Sequence, residues 1–365
     1  MQHPRFLPRK GAALSLALCA ALALAGCIGG ASSTGAQSTG SAGASGGGTK
    51  KVGVALASMN HNFFIGMRQG VEEQLREEGL EGEFVVADDS ASQQQQQVEQ
   101  LLAKGVSAVI MVPVDAEQAV NPVKAANAAN VPIFCIDRRV TAEGASVTCT
   151  VETDNAAMGE MAALHALELL CRRHRIDPAD AEAVKKLKTT VVHLWGQEAA
   201  SSAQDRARGF ERVFNPEKTP LVKVLKAVGN FNPKTSQEVL GPILIANQDV
   251  ELIYCHNDDN AIGALNAVKD VRKGRKPLGD PGRILIVGMD GNRPAVDAIR
   301  KGEIEATVSQ EPIEMGRETV RQVKRALDGG QPTSPYLPVR HHLVTQKEAQ
   351  EKQGELWSDQ LKGGV

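Results

Sequence analysis

The chain has 365 residues, with 41 Lys and Arg against 43 Asp and Glu and a formal net charge of −2. A near-neutral balance without a basic stripe excludes a nucleic-acid backbone as the main partner. Two Trp, two Tyr and eight Phe are the whole aromatic complement, so the place of each ring carries information.

The first element is a targeting segment. Arg5, Arg9 and Lys10 form a basic n-region, and an apolar run follows from Ala12 to Ala25. The run has the length of a signal h-region and falls short of the about 20 apolar residues a spanning helix needs. No second apolar run is long enough to span a bilayer. The first run ends in Leu24-Ala25-Gly26-Cys27. Small residues before a cysteine, directly after an h-region, resemble the lipobox of bacterial lipoproteins. The resemblance implies that Cys27 is lipidated and becomes the new N-terminus. Residues Ile28 to Thr49 are almost all Gly, Ser, Thr and Ala. Such a segment buries too little apolar surface to offset its ordering entropy and reads as a flexible tether. The chain is therefore expected to be exported, periplasmic or at the cell surface, and held to the membrane by its lipid anchor only.

From Lys50 the pattern alternates between strand and helix. Val52–Leu56 is a short apolar strand, Phe64–Glu78 a helix, Glu83–Ala87 a strand and Ser92–Lys104 a helix. Ser107–Val112 is a buried-type strand, Ala116–Ala129 a helix and Pro132–Ile136 a strand. Further strands are expected at Ser146–Val151, Thr190–Trp195, Leu221–Val228, Glu251–Cys255, Arg283–Val287 and Glu305–Val308. Between them lie helices at Asn155–His174, Ala203–Phe214, Pro233–Ala246, Asn260–Val271 and Arg293–Arg300. Pro312–Leu327 is a long helix stopped by Gly329-Gly330. Ala349 to Val365 reads as a polar, loosely attached tail. Apolar strands separated by helices indicate parallel sheets covered on both faces. So many βα units exceed one sheet of typical width, and two doubly wound α/β lobes are the economical solution.

Two features have bland readings. The glutamine run Gln93 to Gln97 reads as a solvated helix face, with Val98, Leu101 and Leu102 on the buried side. Of six cysteines, Cys19 lies in the signal and Cys27 at the anchor. Cys135, Cys149, Cys171 and Cys255 sit in apolar segments without metal-ligand spacing and read as buried thiols. Export permits disulfides, and Cys135 and Cys149 lie on segments that could be neighbouring strands, so a bridge between them stays open.

In open α/β sheets ligands bind beyond the carboxyl ends of the strands. Those ends here are Asn60-His61-Asn62-Phe63-Phe64, Asp137-Arg138-Arg139, Glu152-Thr153-Asp154-Asn155, Asn230-Phe231-Asn232, His256-Asn257-Asp258-Asp259, Met289-Asp290-Gly291 and Ser309-Gln310. Amides, carboxylates and guanidiniums recur, and two ends add rings. Carboxylates accept, amides do both, and Arg donates in a rigid fork, which suits the rim hydroxyls of a sugar. Ring C–H faces of a sugar pack on aromatic planes. One of Phe63 and Phe64 is expected to be a core residue.

The motifs "PIFCIDRR", "ETDN", "ARGF", "CHNDDNAIGAL", "VGMDG" and "VSQEP", with the Phe-Phe start, resemble the periplasmic ribose-binding group of type I solute-binding proteins from about Lys50 to Thr345. The resemblance implies two lobes joined by a three-strand hinge near Val151-Glu152, Ser309-Gln310 and Pro338 to His341. It implies an N-terminal lobe of 50–151 and 311–338, a C-terminal lobe of 152–310 and 339–348, and a tail of 349–365. It assigns ligand contacts to His61, Phe63, Phe64, Asp137, Arg138, Phe231, Asn257, Asp290 and Gln310. Three positions depart from the ribose pattern: His61 stands for Asn, Gln204 for an Arg at the start of the "ARGF" helix, and Met289 for an aromatic. Glu152 is expected at the surface. The implied ligand is ribose, another monosaccharide, a polyol or a cyclitol. The implied partner is an ABC permease, and the chain is expected to be a monomer without cofactor or metal.

Two rival functions keep the same site. A sugar-sensing subunit for a membrane receptor would bind the same guest. A carbohydrate-modifying enzyme would need acid/base pairs from Asp137, Asp154, Asp258, Asp259 or Asp290. No nucleophile elbow, zinc helix motif or phosphate loop accompanies them, and His193 in its apolar strand reads as a core residue. The expected activity is binding without turnover.

Overall fold

The computed structural model describes residues 49–271, 280 and 282–362. The expected signal, the lipobox with Cys27 and nearly all of the tether lie outside the described residues.

Alternation along each strand sets the layers. In β1 (Lys51–Leu56), Val52, Val54 and Leu56 face one core while Ala55 faces another. In β3 (Ala108–Met111), Ala108 and Ile110 share the first core, and Val109 and Met111 the second. Both faces of this sheet are therefore buried, as its parallel pairing requires. The sheet also contains β2 (Glu81–Val86), β4 (Ile133–Ile136), β5 (Cys149–Thr153) and, from late in the chain, β11 (Tyr336–Val339). Its order is β11-β5-β4-β3-β1-β2, all parallel. Helices α1 (Asn62–Glu77) and α10 (Pro312–Leu327) cover one face. Helices α2 (Ala91–Ala103) and α3 (Val120–Ala128) cover the other.

The second sheet repeats the plan with β6 (Thr189–Trp195), β7 (Val222–Val228), β8 (Val250–Cys255), β9 (Leu285–Asp290), β10 (Ala306–Ser309) and β12 (His342–Thr345). Its order is β12-β10-β9-β8-β6-β7, parallel except for β12, which runs antiparallel to β10. Helices α4 (Asn155–His174) and α6 (Ser201–Glu211) pack on one face. Helices α7 (Pro233–Ala246), α8 (Asp258–Val271), α9 (Arg293–Arg300) and α11 (Gln346–Glu351) pack on the other. A single turn, α5 (Ala181–Val184), precedes β6. The fold is thus two doubly wound α/β lobes, as the strand–helix alternation indicates. The chain passes between the sheets three times, from β5 to α4, from β10 to α10 and from β11 to β12.

Local chemistry fixes the helices that matter for the cleft. The Asp154 side chain accepts from Ala157 N at 2.9 Å and starts α4, which ends where Arg175 turns left-handed after Arg172, Arg173 and His174. Asn232 and Asn292 cap α7 and α9, each with proline in the first turn. Helix α6 lies unusually close to α4, because a Cβ at Gly209 would overlap the Ala156 carbonyl oxygen and one at Gly159 would sit 2.5 Å from that of Arg206.

Two expectations are corrected. The glutamine run is not a wholly solvated face. Gln94 is buried, donates to Val112 O at 2.7 Å and accepts from Val114 N at 3.0 Å, while Gln93 and Gln97 both donate to Val86 O. The tail is not loose either: Ala349, Leu356 and Trp357 are buried. Cys135 and Cys149 are buried free thiols, as their apolar segments suggested, and the bridge left open between them does not form. They sit on paired strands, but Cys149 registers with Phe134, one residue away from Cys135. Their side chains therefore enter the cores on opposite faces of the sheet. Burial pushes the two thiols up to about 12 and about 11. A chain beginning at Lys50 should titrate four thiols after denaturation and almost none before, and reductant should leave its melting temperature unchanged. A thiol count of two after denaturation would contradict this arrangement.

Candidate functional site

In each sheet the strand order reverses once, between β1 and β3 and between β6 and β8. Loops at such a point splay apart and leave a crevice at the carboxyl ends of the strands. The two crevices face one another. Between them lies a cavity lined by His61, Phe63, Phe64, Asp137, Arg138, Ser202, Arg206, Phe231, Asn257, Asp290 and Gln310.

The first lobe contributes a ring wall and a charged pair. Phe63 and Phe64 open α1 and meet edge-on, with centroids 5.7 Å apart. Both line the cavity and both also belong to the core of that lobe, so neither is core alone. Asp137 and Arg138 follow β4, with Arg138 Nε 3.5 Å from the Asp137 carboxylate. Arg138 reaches across, donating to Pro113 O at 3.4 Å in its own lobe and to Gln197 Oε1 at 3.2 Å in the other. Its guanidinium lies 5.6 Å from the ring centres of both Phe64 and Phe231, within the range of cation–π attraction.

The second lobe answers with Arg206, Asp290, Gln310, Asn257 and Phe231. Arg206 donates to Asn155 Oδ1 at 2.9 Å and to the His256 carbonyl at 2.5 Å, and lies 3.4 Å from Asp290 Oδ1. Gln310 Nε2 donates to the same Asp290 oxygen at 2.7 Å. Asn257 caps the α8 chain start by accepting from Asn260 N at 2.8 Å. Asp259 Oδ2 takes Asn257 Nδ2 at 3.3 Å and pairs with His61 Nδ1 at 3.0 Å, closing a contact between lobes. Gly196 makes room for Phe231, whose ring would collide with any Cβ there.

Asp137, Phe231 and Asp290 have φ of 68°, 57° and 120°. Side chains rarely adopt these values without local cost, and such residues cluster at functional sites. Burial raises the Asp137 carboxyl against the pull of Arg138, Arg206 and His61. Burial also raises Asp290, to about 6, against the opposing pull of Arg206 and Gln310.

Nine of the residues expected from the sequence meet in this cavity, and two do not. Gln204 turns away and donates to the Glu198 carbonyl at 3.0 Å. Ser202 and Arg206, one helical turn apart on α6, take the inner face instead. The expected loss of an arginine is therefore corrected, since Arg206 supplies the guanidinium. Met289 is fully buried and points with Leu285 and Val287 into the core under α4. Strand alternation sends Asp290, its neighbour, the other way. Glu152 is also not at the surface: it is fully buried, and burial pushes it up to about 7 against Arg139. Arg139 bridges it at 2.9 Å and also pairs with Asp205 on α6.

His193 is a core residue. It sits 4.0 Å, ring to ring, from Phe210 and 2.7 Å, Nε2 to Nε2, from His256. Burial holds His193 down to about 3 and His256 well below its ordinary value. Among the described residues no group of three His, Cys, Asp or Glu side chains could hold a metal ion.

The Asp290 shift has a definite sign. A carboxyl raised in the folded state stabilises the fold below its unfolded pKa, and that contribution is lost as pH rises through about 6. Asp290→Asn should therefore stabilise the ligand-free protein at pH 8 by about 1–3 kcal/mol and have little effect at pH 4. Thermal unfolding at the two pH values checks it. Equal effects at both would contradict a buried, raised carboxyl.

Residues 52–331 match the periplasmic binding protein domain. The ribose import binding protein of Bacillus subtilis is 29% identical over 266 residues, covering 73% of this chain and 78% of its own length. That of Escherichia coli is 25% identical over 296 residues, covering 81% and 90%. A solved galactofuranose binding protein superposes with a TM-score of 0.74 at 23% identity over 84% of this chain and 99% of its own, a likeness of fold. With paired crevices at the strand ends and a family match across most of its length, the chain belongs to the periplasmic binding proteins.

Proposed function

We propose that this chain is the solute-binding component of an ABC-type sugar importer. It captures a monosaccharide or related polyol between its lobes and delivers it to the permease. The observation that carries this reading is the composition of the cavity wall. Two carboxylates, two guanidiniums, two amides and three phenyl rings converge from both lobes on one small space. Hydroxyls donate to Asp137 and Asp290 and accept from Arg138 and Arg206, and sugar C–H faces pack on Phe63, Phe64 and Phe231. Arg138 Nε and Gln310 Oε1 are buried without a hydrogen-bond partner in the protein, one a donor and one an acceptor. A guest whose hydroxyls do both completes them. With Arg206 in the wall, ribose itself fits the reading alongside other pentoses, hexoses, polyols and cyclitols.

Contacts from both lobes give the ligand higher affinity for the closed form, which is the form a permease would recognise. Binding is proposed to proceed as a monomer and without turnover. A thermal-shift screen against sugars, polyols and cyclitols tests it. A ligand at about 100 times its dissociation constant adds roughly 2.7 kcal/mol, a shift of several degrees. Asp137→Asn keeps a residue that tolerates positive φ but removes a strong acceptor. It should abolish the shift, and because it also removes the carboxylate beside buried Arg138 it should lower the ligand-free melting temperature by several degrees with circular dichroism unchanged. An undiminished shift in that variant would refute the site, and a chemically altered sugar recovered after binding would point to an enzyme.

The sequence before the described residues supports a lipid anchor at Cys27. In a bacterial host that lipidates such exported chains, the intact chain should partition with membranes and take up labelled palmitate. Cys27→Ala should release it to the soluble fraction. Unchanged membrane retention in that variant would count against the anchor.

A further inference from the structure

The last described residues carry two neighbouring side chains into two different cores. Leu356 packs in the core of the second lobe. Trp357, 2% exposed, packs in the core of the first, against α1. Its indole meets Phe63 edge-on with centroids 6.3 Å apart. Gly66 lies so close beneath it that a Cβ there would be 3.1 Å from the ring. Its Nε1–H donates at 3.0 Å to the carbonyl of Asp290, in the opposite lobe. One side chain thus touches a cavity-wall residue from each lobe.

The flanking contacts repeat the division. Toward the second lobe, Arg293 donates to Ser358 O at 3.0 Å through Nη2 and at 3.2 Å through Nε. Arg300 grips Asp359 through two nitrogens, at 2.9 and 3.4 Å. Toward the first lobe, Lys362 N donates to Gln69 Oε1 at 3.0 Å and Lys362 Nζ pairs with Glu73 at 2.7 Å. The segment runs from α9 to α1 and lies directly behind Phe63 and Asp290. It follows β12, the strand that completes the second sheet, and the family match ends before it, at residue 331.

We propose that residues 352–362 form a strap that ties the two lobes in the closed arrangement, and that Trp357 is its positioning residue, holding Phe63 and the Asp290 backbone in register across the cavity. The proposal rests on the reading of that cavity as the ligand site. A contact made to both lobes stabilises the form in which they are together, so the strap slows ligand release more than it changes capture. It also acts without ligand, because none of its contacts needs one.

Two measurements separate this proposal from the reading on which it rests. The first is small-angle scattering of the ligand-free protein, comparing the intact chain with a chain ending at Glu351 and with Trp357→Ala. A strap predicts a larger radius of gyration in both variants with circular dichroism unchanged. The second is stopped-flow binding of D-ribose. Trp357→Ala should raise the dissociation rate about tenfold or more with little change in association, and Trp357→Phe, which keeps the ring but loses the Nε1–H, should fall between. A merely structural tryptophan would lower the active fraction and leave the rates of the remainder unchanged. If the shortened chain fails to fold, the two point variants decide. Unchanged dimensions and an unchanged dissociation rate in Trp357→Ala would overturn the strap. If D-ribose does not bind the intact chain, the choice of ligand fails, and scattering alone decides the strap.

Discussion

The site depends on keeping the Arg138 guanidinium buried between two lobes. A charge in that position is costly unless it is paired on every side. The pairing is divided: Asp137, the Pro113 carbonyl and Phe64 come from one lobe, Gln197 and Phe231 from the other. Separating the lobes would strip the cation of half its partners. The same division recurs at His61 with Asp259 and at Arg139 with Asp205. Polar groups therefore bridge the halves beside the cavity, and the cavity inherits its chemistry from them.

The scaffold was readable because it rests on short-range chemistry. Helices Asn155–His174, Pro233–Ala246, Arg293–Arg300 and Pro312–Leu327 have the bounds expected from capping side chains, first-turn prolines and apolar spacing. Strand ends were likewise legible, and they supplied most of the cavity wall. What was missed needed phase rather than position. The resemblance alone points to Gln204, at the start of the "ARGF" helix. The helical turn decides instead which of Ser202, Gln204 and Arg206 faces inward, and the i, i+4 pair of Ser202 and Arg206 was a usable signal. Met289 fell to the two-residue alternation already visible in Leu285 and Val287. Gln94 and Trp357 had no such signal, because each is buried by an element distant in sequence that composition cannot reveal.

Strain and electrostatics point to the same place. Three wall residues hold left-handed or otherwise costly backbone angles, and two of them are carboxylates that burial makes harder to ionise. Folding alone would favour neither feature. Proteins retain such costs where a ligand repays them, and a partner for Asp137 and Asp290 is what a hydroxyl-bearing guest provides. The neutral His193–His256 pair is different in kind. It lies beneath the wall, where its aromatic neighbours and the Arg206 contact to the His256 carbonyl make it a support for the guanidinium above.

The interleaved order of the strands has a consequence for biosynthesis. The first sheet is built largely from residues 51–153, yet one face is covered by α10 and its edge is completed by β11, both from beyond residue 311. The second sheet likewise waits for β12. Neither half can finish its interior until almost the entire polypeptide has left the ribosome, because the missing cover comes last. A protein bound for the far side of a membrane gains from that delay, since a translocation channel accepts extended chain more readily than a compact body. Long-range pairings of this kind slow folding, and here they make the interior of both sheets wait for α10, β11 and β12.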